Sequence, residues 1–77
     1  MATDIVIADD LWEGDEQAVV TNWFASDGAV VTSDMLLAEI MVAKIQYEVR
    51  SPADGVLTIL RQADDIVSKG DVVGRIG

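Results

Sequence analysis

Two side chains in this sequence carry an amine that could be acylated, Lys44 and Lys69. A lysine amine can become an amide, form a Schiff base or remain an ordinary surface charge. Lys44 is the more telling of the two. It interrupts a nearly continuous apolar run over residues 36–49, so its ammonium must be carried out to water or put to use. Composition excludes most other chemistry. The chain has no histidine and no cysteine, which removes the commonest general base, the thiol nucleophile, every disulfide and the usual zinc ligands. No residue is assigned as a catalyst or as a metal ligand. The acidic stretch 9–16 fails as a calcium loop. With Gly14 at the sixth position, Leu11 and Val20 fall at the third and twelfth, where oxygen ligands are required. The stretch reads as a solvated loop.

Fourteen carboxylates stand against five basic residues, a net charge of −9. That balance disfavours nucleic-acid phosphates and anionic membrane surfaces as partners and favours basic ones. Half of the chain is apolar (51%), which argues against disorder. No stretch is long enough to span a bilayer, and Met1-Ala2-Thr3-Asp4 lacks signal-peptide character. The expectation is one small domain over residues 1–77, monomeric in isolation, in a bacterial cytoplasm or, second, a mitochondrial matrix.

The elements that must position Lys44 are short. Turn signals at Gly14-Asp15, Asp27-Gly28, Asp54-Gly55 and Gly70-Asp71 separate β-branched runs, the pattern of a small all-β sandwich or barrel. Residues 33–48 are rich in helix formers, and Ser33 or Asp34 could cap a helix there. An internal repeat argues otherwise. Thirty-six positions apart, Val30-Val31-Thr32-Ser33 lies over Ile66-Val67-Ser68-Lys69, and Leu36-Leu37-Ala38-Glu39-Ile40 lies over Val72-Val73-Gly74-Arg75-Ile76. The second copy carries Gly70, Gly74 and β-branched residues and reads as strand. Ile45, Tyr47 and Val49 alternate with Gln46, Glu48 and Arg50, as in a half-buried strand. The expected architecture is therefore a flattened all-β barrel of two four-stranded antiparallel sheets with pseudo-two-fold symmetry. Strands at 36–42 and 45–49 would be joined through Ala43 and Lys44, a poor pair for a two-residue hairpin turn. Trp23 and Tyr47 are assigned to the core, whereas Trp12 could pack under its loop or face a partner.

Several motifs in order carry a resemblance. They are Glu13-Gly14, Ala18-Val19-Val20-Thr21-Asn22-Trp23, Asp27-Gly28, Leu37-Ala38-Glu39-Ile40, Ser51-Pro52-Ala53-Asp54-Gly55-Val56-Leu57 and Gly70-Asp71. With them the chain resembles the lipoyl domains of the biotinyl/lipoyl-carrier family, the swinging-arm domains of 2-oxo acid and acetoin dehydrogenase complexes. The resemblance places the lipoate-bearing lysine on Lys44, at a hairpin tip, and implies that Asp9, Asp10 and Glu13, in a surface loop near it, serve recognition by a partner, with plain solubility as the alternative. It implies a non-catalytic carrier, part of a dihydrolipoamide acyltransferase. The carrier takes an acyl group from a thiamine-diphosphate E1 decarboxylase to the E2 acyltransferase core. It is reoxidised by E3, the dihydrolipoyl dehydrogenase. A lipoate ligase or lipoyl transferase would load it. The tripeptide Ala43-Lys44-Ile45 departs from the Asp-Lys-Ala typical of lipoyl domains, Met41 stands where they usually have Glu, and the methionines that flank a biotinyl lysine are absent too. The alternatives are a biotinyl carrier of a carboxylase or decarboxylase, with biotin on Lys44, and an unmodified interaction module.

Overall fold

A computed structural model describes residues 2–77 and contains eight strands: β1 (Thr3–Val6), β2 (Ala18–Trp23), β3 (Val30–Val31), β4 (Leu36–Val42), β5 (Ile45–Arg50), β6 (Gly55–Ile59), β7 (Ile66–Val67) and β8 (Val72–Ile76). They form two antiparallel sheets, in the orders β1-β8-β6-β3 and β5-β4-β2-β7. The strands expected at 36–42 and 45–49 are β4 and β5, the second one residue longer than expected. The helix-prone segment is two strands. β4 is hydrogen-bonded on both sides, to β2 and to β5, and that pairing outweighs the local helix preference of its Met, Leu, Ala and Glu residues.

The sheet orders carry the repeat into three dimensions. β2, β3 and β4 of one half occupy the places of β6, β7 and β8 in the other, and β5 corresponds to β1. The irregularities repeat as well. The β4–β5 ladder skips Leu37, between Leu36↔Arg50 and Ala38↔Val49, and the β1–β8 ladder skips Val73, thirty-six positions on. An extra residue at a bulge breaks the alternation of faces, so Leu37 and Ala38 are both buried, as are Val73 and Gly74. The turns match in the same way. Positive φ falls at Gly28 and Asp64, and again at Asp34 and Gly70. At each matched turn one half uses glycine and the other aspartate, two residues that enter this region at low cost.

The core lies between the sheets. Ile5, Ile7, Val20, Val31, Leu37, Ile40, Leu57, Val67, Val73 and Ile76 are almost fully buried within it. Gly74 marks the tightest approach, because a Cβ there would stand 2.9 Å from the Thr58 carbonyl oxygen and 3.1 Å from Ile5 Cδ1. Its counterpart in the other half, Ala38, holds a buried methyl group. The aromatic residues correct the sequence assignment. Trp12, left open there, is buried at 6% exposure, whereas Trp23 and Tyr47 are half-buried and pack against the edge of the core. Trp23 stays at the edge because its indole N–H donates to the Arg61 carbonyl oxygen (2.8 Å) at the exposed surface.

Candidate functional site

Lys44 occupies the second position of a two-residue turn that closes the β4–β5 hairpin, between the paired residues Val42 and Ile45. Ala43, the first turn residue, has φ of 53°. Tight hairpin turns need a left-handed residue there to match the twist of the strands, and they usually take glycine or asparagine. Ala43 meets that need at a steric cost, since its Cβ approaches the following carbonyl oxygen. No turn signal marks this point, because the turn is imposed by the β4–β5 ladder that it closes. Lys44 is exposed, as are Ala43, Ile45 and Gln46. Among the described residues its ammonium forms no hydrogen bond or ion pair; the ion pairs are Arg50–Glu48 and Arg75–Asp4.

Lys69 is placed differently. Its ammonium donates to the Gly14 carbonyl oxygen at 2.7 Å and lies 5.3 Å from the centre of the Trp12 ring. The Trp12 indole N–H donates to the Glu16 carbonyl oxygen (3.1 Å), and the ring lies 5.9 Å from that of Tyr47 at an interplanar angle of 38°. Gln17 adds a side-chain bond to the Ser68 hydroxyl at 3.0 Å. The acidic stretch therefore runs between the 68–71 turn and the hairpin, and Trp12 is its buried anchor. Sequence reasoning missed this role of Lys69. The available signal was a large aromatic residue in a loop of carboxylates, which is best accommodated when the ring is packed away from water.

The loop and the hairpin border an open cleft of about 350 Å³ next to the Lys44 turn, lined by Trp12, Glu13, Glu16, Val42, Ala43, Ile45 and Tyr47. Of the three candidate recognition residues, Glu13 borders this cleft. Asp9 instead approaches the 68–71 turn, with its Oδ1 3.8 Å from where a Cβ on Gly70 would lie, and Asp10 is exposed on the loop.

The geometry is that of an exposed amine at the end of the β4–β5 ladder, with no hydrogen bond or ion pair among the described residues. A family model described as "Biotin-requiring enzyme", the biotin/lipoyl model, matches residues 9–76. The chain belongs to the biotin/lipoyl family. Within it the similarity runs toward lipoyl domains. The solution structure of the lipoyl domain of the 2-oxoglutarate dehydrogenase complex from Azotobacter vinelandii superimposes with a TM-score of 0.75 at 28% identity, covering 97% of this chain and 96% of that one. The chain is 30% identical, over 99% of its length, to the lipoamide acyltransferase component of the branched-chain alpha-keto acid dehydrogenase complex of Pseudomonas putida. It is 35% identical, again over 99%, to the dihydrolipoyllysine-residue acetyltransferase component of the pyruvate dehydrogenase complex of Corynebacterium glutamicum. It spans 18% and 11% of the lengths of these two relatives.

Proposed function

We propose that this biotin/lipoyl-family domain is a lipoyl carrier, with lipoate joined through an amide to Lys44. The observation that carries the reading is the position of Lys44, exposed at the tip of a two-residue hairpin and without a partner among the described residues. Such an amine fits the group: acylation removes one positive charge from a site where that charge serves no ion pair. Lys69 does not fit it, because its ammonium is already spent on Gly14 and Trp12. Lipoate supplies a dithiolane for coupled acyl and electron transfer.

The chain's own residues supply display. The β4–β5 ladder, tied to β2 on its inner side, fixes where the arm begins. The buried core keeps that origin stiff, and tethering raises the arm's effective concentration at each site it visits. No acid, base or nucleophile from this chain is required, so the domain acts as a covalent substrate and not as a catalyst. We extend the reading, on the relatives' names, to a 2-oxo acid dehydrogenase complex, and keep the bacterial cytoplasm as its expected location. In that complex E1, the E2 core and E3 would be its partners, residues 1–77 forming one carrier domain. The test is intact mass of the protein made in a host with active lipoate and biotin ligases, beside its Lys44→Ala variant. A lipoyl increment lost in the variant supports the reading. A biotinyl increment replaces it with the biotin carrier, and no increment leaves an unmodified interaction module.

A further inference from the structure

We infer that the cleft between the hairpin and the acidic loop is a resting site for the arm itself. The neutral, apolar group borne by Lys44 folds back against Trp12 and Tyr47 between visits to its partners. The inference rests on the carrier reading above and adds a binding role to residues outside the modified turn.

Position comes first. Lys44 lies between Ala43 and Ile45, and both line the cleft, so a group tethered to Lys44 starts at its mouth. The lining comes second. Val42, Ile45, Tyr47 and Trp12 offer apolar surface, and the charged members of the lining, Glu13 and Glu16, are both acidic. An acidic lining repels a free carboxylic acid, which is ionised at neutral pH. It tolerates the same acid once its carboxyl has been consumed in an amide. The cleft therefore discriminates in favour of the attached group over its free precursor. Size agrees: about 350 Å³ is at the small end of ligand-binding clefts, suited to a short chain and one small ring rather than a peptide.

Preformation is the third point. Trp12 is held by its indole hydrogen bond to the Glu16 carbonyl oxygen, by the neighbouring Tyr47 ring and by the Lys69 ammonium over its own ring. The wall is thus in place before the arm reaches it, and binding need not order the loop. Tethering at an effective concentration on the order of millimolar means that even a weak contact holds a sizeable fraction of the arms. The same weakness leaves the arm free to depart.

The test compares unloaded and loaded domain by NMR, with Trp23 as internal control because it lies outside the cleft. In the lipoyl-loaded protein the Trp12 indole N–H and Tyr47 ring resonances shift and show contacts to the arm, while the Trp23 indole stays in place. Ile45→Asp, at an exposed position, reduces the shifts without unfolding the domain. Free octanoate at millimolar concentration leaves Trp12 unmoved. Superimposable Trp12 and Tyr47 resonances in a sample whose mass proves Lys44 loaded would overturn the inference. If the ligase adds nothing, the carrier reading fails separately. The cleft is then tested on the Lys69→Arg variant, its N-terminal amine blocked, acylated at Lys44 with an activated octanoate ester, and unchanged Trp12 and Tyr47 signals there refute it as well.

Discussion

The chain's two lysines divide the labour of one cation type between opposite tasks. Lys44 stands at the tip of a ladder, exposed and without a partner among the described residues, whereas Lys69 is committed to a carbonyl oxygen and an aromatic face. Both sit on turns, and both follow apolar strand residues. What separates them is what the pseudo-two-fold brings nearby. The turn of Lys69 meets the loop that precedes β2. The turn of Lys44 extends past the end of the sheets, in a place whose counterpart in the other half would lie beyond β8. A residue type is therefore a poor guide to chemistry here until its neighbours are known.

The sharpest way to break the comparison is to remove each amine while keeping its charge. Lys44→Arg should abolish the lipoyl mass increment completely, because a guanidinium does not form the amide. Lys69→Arg should leave the increment intact and keep the contact with Trp12, since arginine also stacks on aromatic faces. Loss of the increment in both variants would mean that the ligase reads the loop as well as the hairpin.

The halves themselves can be set against each other at Gly74 and Ala38. The two positions correspond, yet only the first half leaves room for a methyl group. Gly74→Ala pushes a Cβ against the Thr58 carbonyl and Ile5. It should cost about 1–3 kcal/mol as an overpacked core does, read as a lowered denaturation midpoint at unchanged slope. A neutral result would mean that β6 and β8 separate more easily than β2 and β4.

Fold and site were not equally legible in the sequence. The strands could be read because the repeat tests each half against the other: Gly70 and Gly74 in the second copy argue against a helix that Met41, Leu37 and Glu39 favour in the first. The position of Lys44 at a hairpin tip followed from the same repeat. The surroundings of Lys44 could not be read. The packing of Trp12 on Tyr47 and Lys69 joins residues far apart in sequence through the closure of the barrel, and alternation of apolar and polar residues carries no trace of it. The burial order of the aromatics was misjudged for that reason. Trp23, in an apolar strand, reaches the surface through its hydrogen bond to Arg61, whereas Trp12, among carboxylates, is covered.

Lys69→Ala probes the lock directly. It removes a cation–π contact and a charged hydrogen bond from a half-buried site, and should cost about 1 kcal/mol of stability. The loss should appear as a changed near-ultraviolet dichroism of Trp12 and as faster hydrogen exchange in the 8–17 loop. Lipoyl loading of Lys44 should persist. Unchanged exchange in the loop would show that Trp12 alone holds it and that the ammonium only covers the ring.

The smallest effect is expected at the turn that presents Lys44. Ala43 is the one residue other than glycine and aspartate with positive φ among the described residues. Asparagine enters that region more easily because its short polar side chain can bond to nearby backbone. Ala43→Asn should therefore raise stability, by about 0.5 kcal/mol, without altering the pairing of Val42 with Ile45. Chemical denaturation of the unloaded protein measures the gain apart from any effect on the ligase. A gain accompanied by slower loading would mean that the alanine is kept for the partner that reads the tip. A gain with unchanged loading would leave the hairpin ladder, not the turn residue, as what sets the amine in place.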